Sequence, residues 1–134
     1  MFKRFALLTL IVLILAACGG NPANTPAAPA TATSVDSVKM IVKYLQAKIT
    51  GDEQTIRSLL CAAMEKNLQQ EATTFLGTSG VKFDGMVCMA GGAGKVTCQG
   101  KIVADYGQEK NEFPLGTYTV VQEDGEWKYC GEAQ

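Results

Sequence analysis

The sequence predicts an α+β domain in which two or three N-terminal helices pack on a curved antiparallel sheet. Three observations predict it. Apolar residues recur at helical spacing from Val35 to Phe75. From Val81 the period changes to alternation, punctuated by glycine clusters and one Asp-Gly pair. The two patterns do not interleave, and helices followed by strands give segregated layers.

Two segments ahead of the domain cannot build a core. Lys3 and Arg4 precede an apolar run of twelve residues, Phe5 to Ala16. As a helix that run spans about 18 Å, well short of the ~30 Å hydrocarbon core of a bilayer. Residues 1–17 therefore read as a signal peptide rather than a membrane span. Residues 18–33 hold three of the chain's four prolines and no charge. Proline with alanine and threonine favours extended chain, so this stretch reads as a tether reaching at most roughly 45 Å. Residues 34–134 form the single domain.

The first helix starts with Thr33 as the expected N-cap and Asp36 in the first turn. Val35, Val38, Ile41, Val42, Leu45 and Ile49 then share one face, and Lys39, Lys43 and Lys48 stay off it. Gly51 suits the C′ position, and Asp52 can cap the next helix, whose apolar residues are Ile56, Leu59 and Leu60. Met64, Leu68, Ala72 and Phe75 continue at helical spacing to Gly77. A break near Cys61 to Ala63 makes three helices in place of two.

Met86 to Met89 is a short strand candidate, followed by the turn Ala90-Gly91-Gly92-Ala93-Gly94. Lys95 to Tyr106 alternates, with Val96, Cys98, Ile102, Ala104 and Tyr106 on one face. Gly107 to Glu112 reads as a turn and Phe113 to Gln122 as a third strand. Asp124-Gly125 is a hairpin signal before the last strand, Trp127 to Cys130.

Setting Cys18 aside leaves Cys61, Cys88, Cys98 and Cys130. An even number in an exported domain reads as two disulfides, and four cysteines allow three pairings. Cys88 and Cys98 flank the glycine-rich turn almost symmetrically, which favours joining them and pairing Cys61 with Cys130. The alternative, Cys61–Cys88 with Cys98–Cys130, asks a bridge to span two strands, roughly 10 Å. A four-thiolate zinc site is set aside because no close cysteine pair is present.

The net charge is −1. Without Lys3 and Arg4 the remaining chain carries ten basic and thirteen acidic residues, and so is more acidic still. That balance argues against a nucleic-acid binder. The chain has no histidine, which excludes Ser-His-Asp and Cys-His catalysis and His-ligated metals. Gly91 to Thr97 looks briefly like a phosphate loop, but Met89 and Val96 stand where that pattern needs Gly and Ser or Thr. Asp84 and Asp105 are the acids nearest the strands, and no paired carboxylates suggest acid–base work. No catalytic set and no cofactor are expected. Tyr44, Phe75, Tyr106, Tyr118 and Trp127 are the candidates to line a pocket.

Two resemblances add to this reading. Leu15-Ala16-Ala17-Cys18 resembles the lipobox of bacterial lipoproteins, an aliphatic residue and two small ones before an obligatory cysteine. It implies a diacylglycerol thioether on Cys18, cleavage before it, and a domain tethered to the extracytoplasmic side of a membrane. The order of a helix over Val38 to Ile49, Gly51-Asp52, a short helix over Glu53 to Leu60, a third helix and a meander ending in Gly125-Glu126-Trp127-Lys128 resembles the nuclear transport factor 2-like fold. This second resemblance covers residues 35–134 and implies a cone-shaped pocket between helices and sheet. Ser58-Leu59-Leu60-Cys61-Ala62-Ala63 and Thr97-Cys98-Gln99-Gly100-Lys101-Ile102 are similar to segments of cysteine-containing lipoproteins of unknown function. Together these imply a non-enzymatic envelope module whose partners are the membrane, through the lipid, and a small apolar ligand or another envelope protein. The alternative is an isomerase- or dehydratase-like enzyme using a pocket Asp and Tyr.

Overall fold

The computed structural model describes residues 30–134, with side chains from Val35 onward. The signal peptide, the lipobox with Cys18 and the tether as far as residue 29 lie outside the described residues. Helix α1 spans Ala30–Thr50, α2 Glu53–Leu59 and α3 Leu68–Thr73, with a 3-10 helix at Ala62–Asn67. Strands follow at β1 Ser79–Gly92, β2 Lys95–Tyr106, β3 Glu109–Pro114, β4 Thr117–Glu123 and β5 Glu126–Glu132. The fold is α+β: three helices on one curved, unclosed antiparallel sheet of order β1-β2-β4-β5, with β3 also paired to β2.

Helix α1 begins before Thr33, so Thr33 lies inside the helix and is not its N-cap. The last proline before the domain is Pro29, and the alanines and threonines after it offer nothing that stops a helix. The buried stripe of α1 is also rotated from the expected one. Met40, Ile41, Tyr44, Leu45 and Ala47 are buried, whereas Val35 is 48% exposed. Gly51 takes φ +69 and ends the helix. Asp52 caps α2, accepting the Thr55 backbone N–H at 3.0 Å and the Thr55 hydroxyl at 2.6 Å. The break at Cys61 is present, and the chain there joins the sheet. Leu60 bridges Tyr129 in parallel, and the Cys61 N–H donates to the Tyr129 carbonyl at 2.9 Å. This lacing covers the edge of β5.

The expected third strand is two strands. β3 and β4 both run antiparallel to β2 and are separated by Leu115 and Gly116. Glu109 to Glu112 therefore belong to a strand, and the turn is only Gly107-Gln108. Lys101 pairs with Pro114, whereas Thr97 pairs with Thr117, so β2 carries one extra residue across this break. On its other side, β1 carries the extra residue between Asp84 and Val87. Gly100, at φ +98, sits at both irregularities. Bulges bend a strand and raise its twist, so the sheet curves along the line Gly85, Gly100, Leu115. Of the three tight hairpins, two use residue pairs with positive φ, Ala93-Gly94 and Asp124-Gly125, and the third, Gly107-Gln108, has positive φ at its glycine, as two-residue turns of this twist require.

Two disulfides join Cys61 to Cys130 and Cys88 to Cys98. The first ties the helical layer to β5. The second links residues directly opposite one another on β1 and β2. The core lies between α1 and the concave sheet face, where Ile41, Leu45, Ile56, Val96, Val120 and Tyr129 meet. A smaller cluster of Phe75, Ile102 and Ala104 continues it toward the bend.

Candidate functional site

A cavity of about 140 Å³ opens where the sheet bends under the C-terminal end of α1. Its apolar wall is Leu45 of α1, Phe75 after α3, Ile102 of β2 and the run Phe113-Pro114-Leu115. Its polar groups are Lys48, Tyr118 and Glu132. The bend makes this space. Leu115 leaves the strand spacing, but its N–H still donates to the Gly100 carbonyl at 2.9 Å. The Gly116 carbonyl accepts from the Cys98 N–H at the same distance. The ladder therefore holds while the side chains at the break splay apart.

Aromatic rings frame the opening. Phe75 and Phe113 meet edge to face with centroids 5.6 Å apart, and Tyr106 meets Phe113 at 6.4 Å. Tyr106 and Phe113 remain partly exposed, at 42% and 39%. A cavity near 150 Å³ holds a benzene-sized guest, and this open, partly polar space is of that size. Lys48 stands at the polar side and pairs with Glu71 at 2.7 Å. An ammonium has three donors, so others remain to meet a polar head on a ligand.

Of the expected pocket residues, the structure brings Phe75 and Tyr118 to the cavity and places Tyr106 outside it, edge-on to Phe113. Tyr44 and Trp127 do not line it. Tyr44 is fully buried, stacked on Tyr129 at 4.0 Å between ring centroids. Its hydroxyl donates to Glu71 at 2.7 Å. Burial, with Tyr129 and the Glu71 carboxylate beside it, holds the Tyr44 hydroxyl protonated far above the usual tyrosine range. Tyr129 and Tyr118 are also shifted upward, chiefly by burial. Trp127 packs against the main core, opposite Gln122.

Neither expected aspartate reaches the cavity. Asp84 is exposed and lies 3.7 Å from Lys101, and Asp105 is half-buried on β2. Lys101 and Glu112 pair at 2.8 Å, beside a polar groove on the outer sheet lined by Lys82, Asp84 and Glu112. That pairing holds the Lys101 ammonium above its ordinary pKa. Sequence reasoning missed Lys48, Phe113, Leu115 and Glu132. The readable signal was Pro114-Leu115-Gly116, a proline and a glycine inside an otherwise alternating run.

The geometry defines a class: an α+β domain whose bent sheet and first helix enclose a small cavity with an aromatic mouth. Compared with protein-family models, curated proteins and solved structures, the chain finds no match.

Proposed function

We propose that the protein is a membrane-tethered module of the cell envelope that binds a small apolar ligand. It is held by a lipid on Cys18 and belongs with lipoproteins of the nuclear transport factor 2-like type. The cavity beneath Phe75 and Phe113 carries this reading. Helices followed by a bent meander, with the space between them at the bend, support the likeness to that fold. The lipobox and the proline-rich tether support the address. The ligand has a small apolar body, by comparison with the benzene-sized guest that a cavity of ~150 Å³ accepts. A single polar head on it would meet Lys48. An enzymatic reading that uses a pocket aspartate gains no support, because Asp84 and Asp105 stand away from the cavity.

The test is binding of indole and of short fatty acids, measured calorimetrically on the mature chain and on Leu115→Trp. The added indole fills the cavity, so the variant should lose affinity by about tenfold or more, the effect of about 1.4 kcal/mol. Equal binding by both chains contradicts the cavity as the site. Palmitate labelling tests the address. Cys18→Ser should give an uncleaved, unlabelled precursor, and normal processing of that variant contradicts it.

A further inference from the structure

Exposed large hydrophobic side chains stand at both ends of α1: Tyr106 and Phe113 frame the cavity mouth, with Leu76 next in the chain to Phe75 of the cavity wall, and Val35 and Met89 lie toward the other end. Val35 and Met89 border an apolar groove between α1 and β1, together with Val38, Lys39, Cys88 and Ala90. The groove holds about 300 Å³. Val87, opposite Gln99, stands on the sheet face away from α1 and outside the groove.

We infer that this groove, with Val35 and Met89 exposed along it, rests on the phospholipid surface and orients the domain with its cavity mouth outward. The inference rests on the lipid anchor proposed above. Where the chain arrives selects the occupant. Helix α1 reaches back to Ala30, so only residues 19–29 separate it from the anchoring cysteine. The twelve residue steps from Cys18 to Ala30 span about 37 Å extended and about 20 Å as a flexible chain. The groove is lined by the side chain of Val35, five residues into α1, and so lies at the end of the domain that the tether holds nearest the bilayer. Thirteen residues of helix, a length of about 20 Å, carry the chain from Val35 to Lys48 at the cavity. Resting the groove on the membrane therefore points the mouth away from it.

The chemistry of the rim fits an interface. Valine and methionine enter the boundary between headgroups and acyl chains, where amphipathic surfaces sit about 5–10 Å deep. Lys39 lines the groove with its side chain 74% exposed and pairs with Asp36 at 3.8 Å. An exposed pair of that kind contributes little, so the ammonium can turn to a headgroup phosphate while its stem covers apolar surface.

The test uses the full acylated chain in vesicles of phosphatidylethanolamine and phosphatidylglycerol carrying brominated acyl chains. Met89→Trp and Tyr106→Trp, each with Trp127→Phe, place one reporter at the groove and one at the mouth. The Met89→Trp signal should fall by about half or more with bromine at shallow acyl carbons, and the Tyr106→Trp signal should not change. Thermal melts confirm that both variants fold, and Val35→Trp replaces Met89→Trp if it does not. Vesicle flotation reads the anchor separately. A chain that floats with Met89→Trp unquenched overturns the groove contact and leaves the anchor standing. A chain that does not float overturns the anchor and the contact together. Crosslinks from the groove to a second copy, or to residues 19–29, with no quenching, assign the surface to those occupants and overturn the lipid contact.

Discussion

The Tyr44 hydroxyl donates to the Glu71 carboxylate at 2.7 Å, joining α1 to α3 inside the core. The same carboxylate oxygen takes the Lys48 ammonium at 2.7 Å. Both members of that ion pair are largely buried, with side chains 16% and 10% exposed. Glu71→Ala strands a buried ammonium and orphans a buried hydroxyl, so it should cost about 3 kcal/mol. Glu71→Gln keeps an acceptor and should cost less. Urea denaturation of both variants checks the order.

Alkali should unfold the protein through its tyrosines. Tyr44, Tyr129 and Tyr118 are all shifted upward by burial. Their folded-state pKa values therefore lie above the unfolded value of about 10. The stability this represents is fully present below pH 10 and is lost as pH rises through the folded values, because only the unfolded chain ionises there. Each tyrosine still neutral in the folded state then contributes a loss of about 1.4 kcal/mol per pH unit. Stability measured from pH 9 to 12 should be flat at first and then fall. Phenolate absorbance should appear together with unfolding rather than before it.

The two disulfides should contribute unequally. Cys61–Cys130 closes a separation of 69 residues and Cys88–Cys98 one of 10. Chain entropy assigns about 4.4 and about 2.7 kcal/mol to such loops. Replacing each pair with alanine should therefore lower the denaturation midpoint more for the first pair. Peptide mapping without reductant should return these two linkages.

Gly100 and Gly116 should respond in opposite ways to alanine. A Cβ on Gly100 would meet the Gly85 carbonyl oxygen and carbon at 2.5 and 2.6 Å, in a backbone already at φ +98. The sheet would have to open at its bend, at a cost of about 3 kcal/mol or more. A Cβ on Gly116 meets nothing within 4 Å. Gly116→Ala should be neutral or should stabilise by about 0.5 kcal/mol, by restricting the unfolded chain. Melting temperatures of the two variants separate the cases.

Much of the fold was legible because its signals are local. Gly51 and Asp52 mark a stop and a start, and Asp124-Gly125 marks a hairpin. What failed was the part governed by the bend. β1 looked like four residues, Met86 to Met89, because Gly80 and Gly85 and the register shifts beside them interrupt its alternation. β3 and β4 looked like one strand because the ladder continues through Leu115 and Gly116. The cavity sits at that same bend, so Phe113 and Leu115 were missed with it. Tyr44 was misplaced for another reason. An aromatic ring with a hydroxyl suits a pocket wall or a core equally well, and only the buried Glu71, 27 residues away in sequence, settles which.

The most direct test of a binding cavity is to locate a bound probe. Isotope-filtered nuclear Overhauser spectra of the mature chain with indole should show contacts from the probe to Phe75, Leu115 and Tyr118. They should show none to Trp127 or to the fully buried Tyr44. Contacts elsewhere, or none with indole at ~10 mM, a concentration that populates even a millimolar complex, would contradict the account.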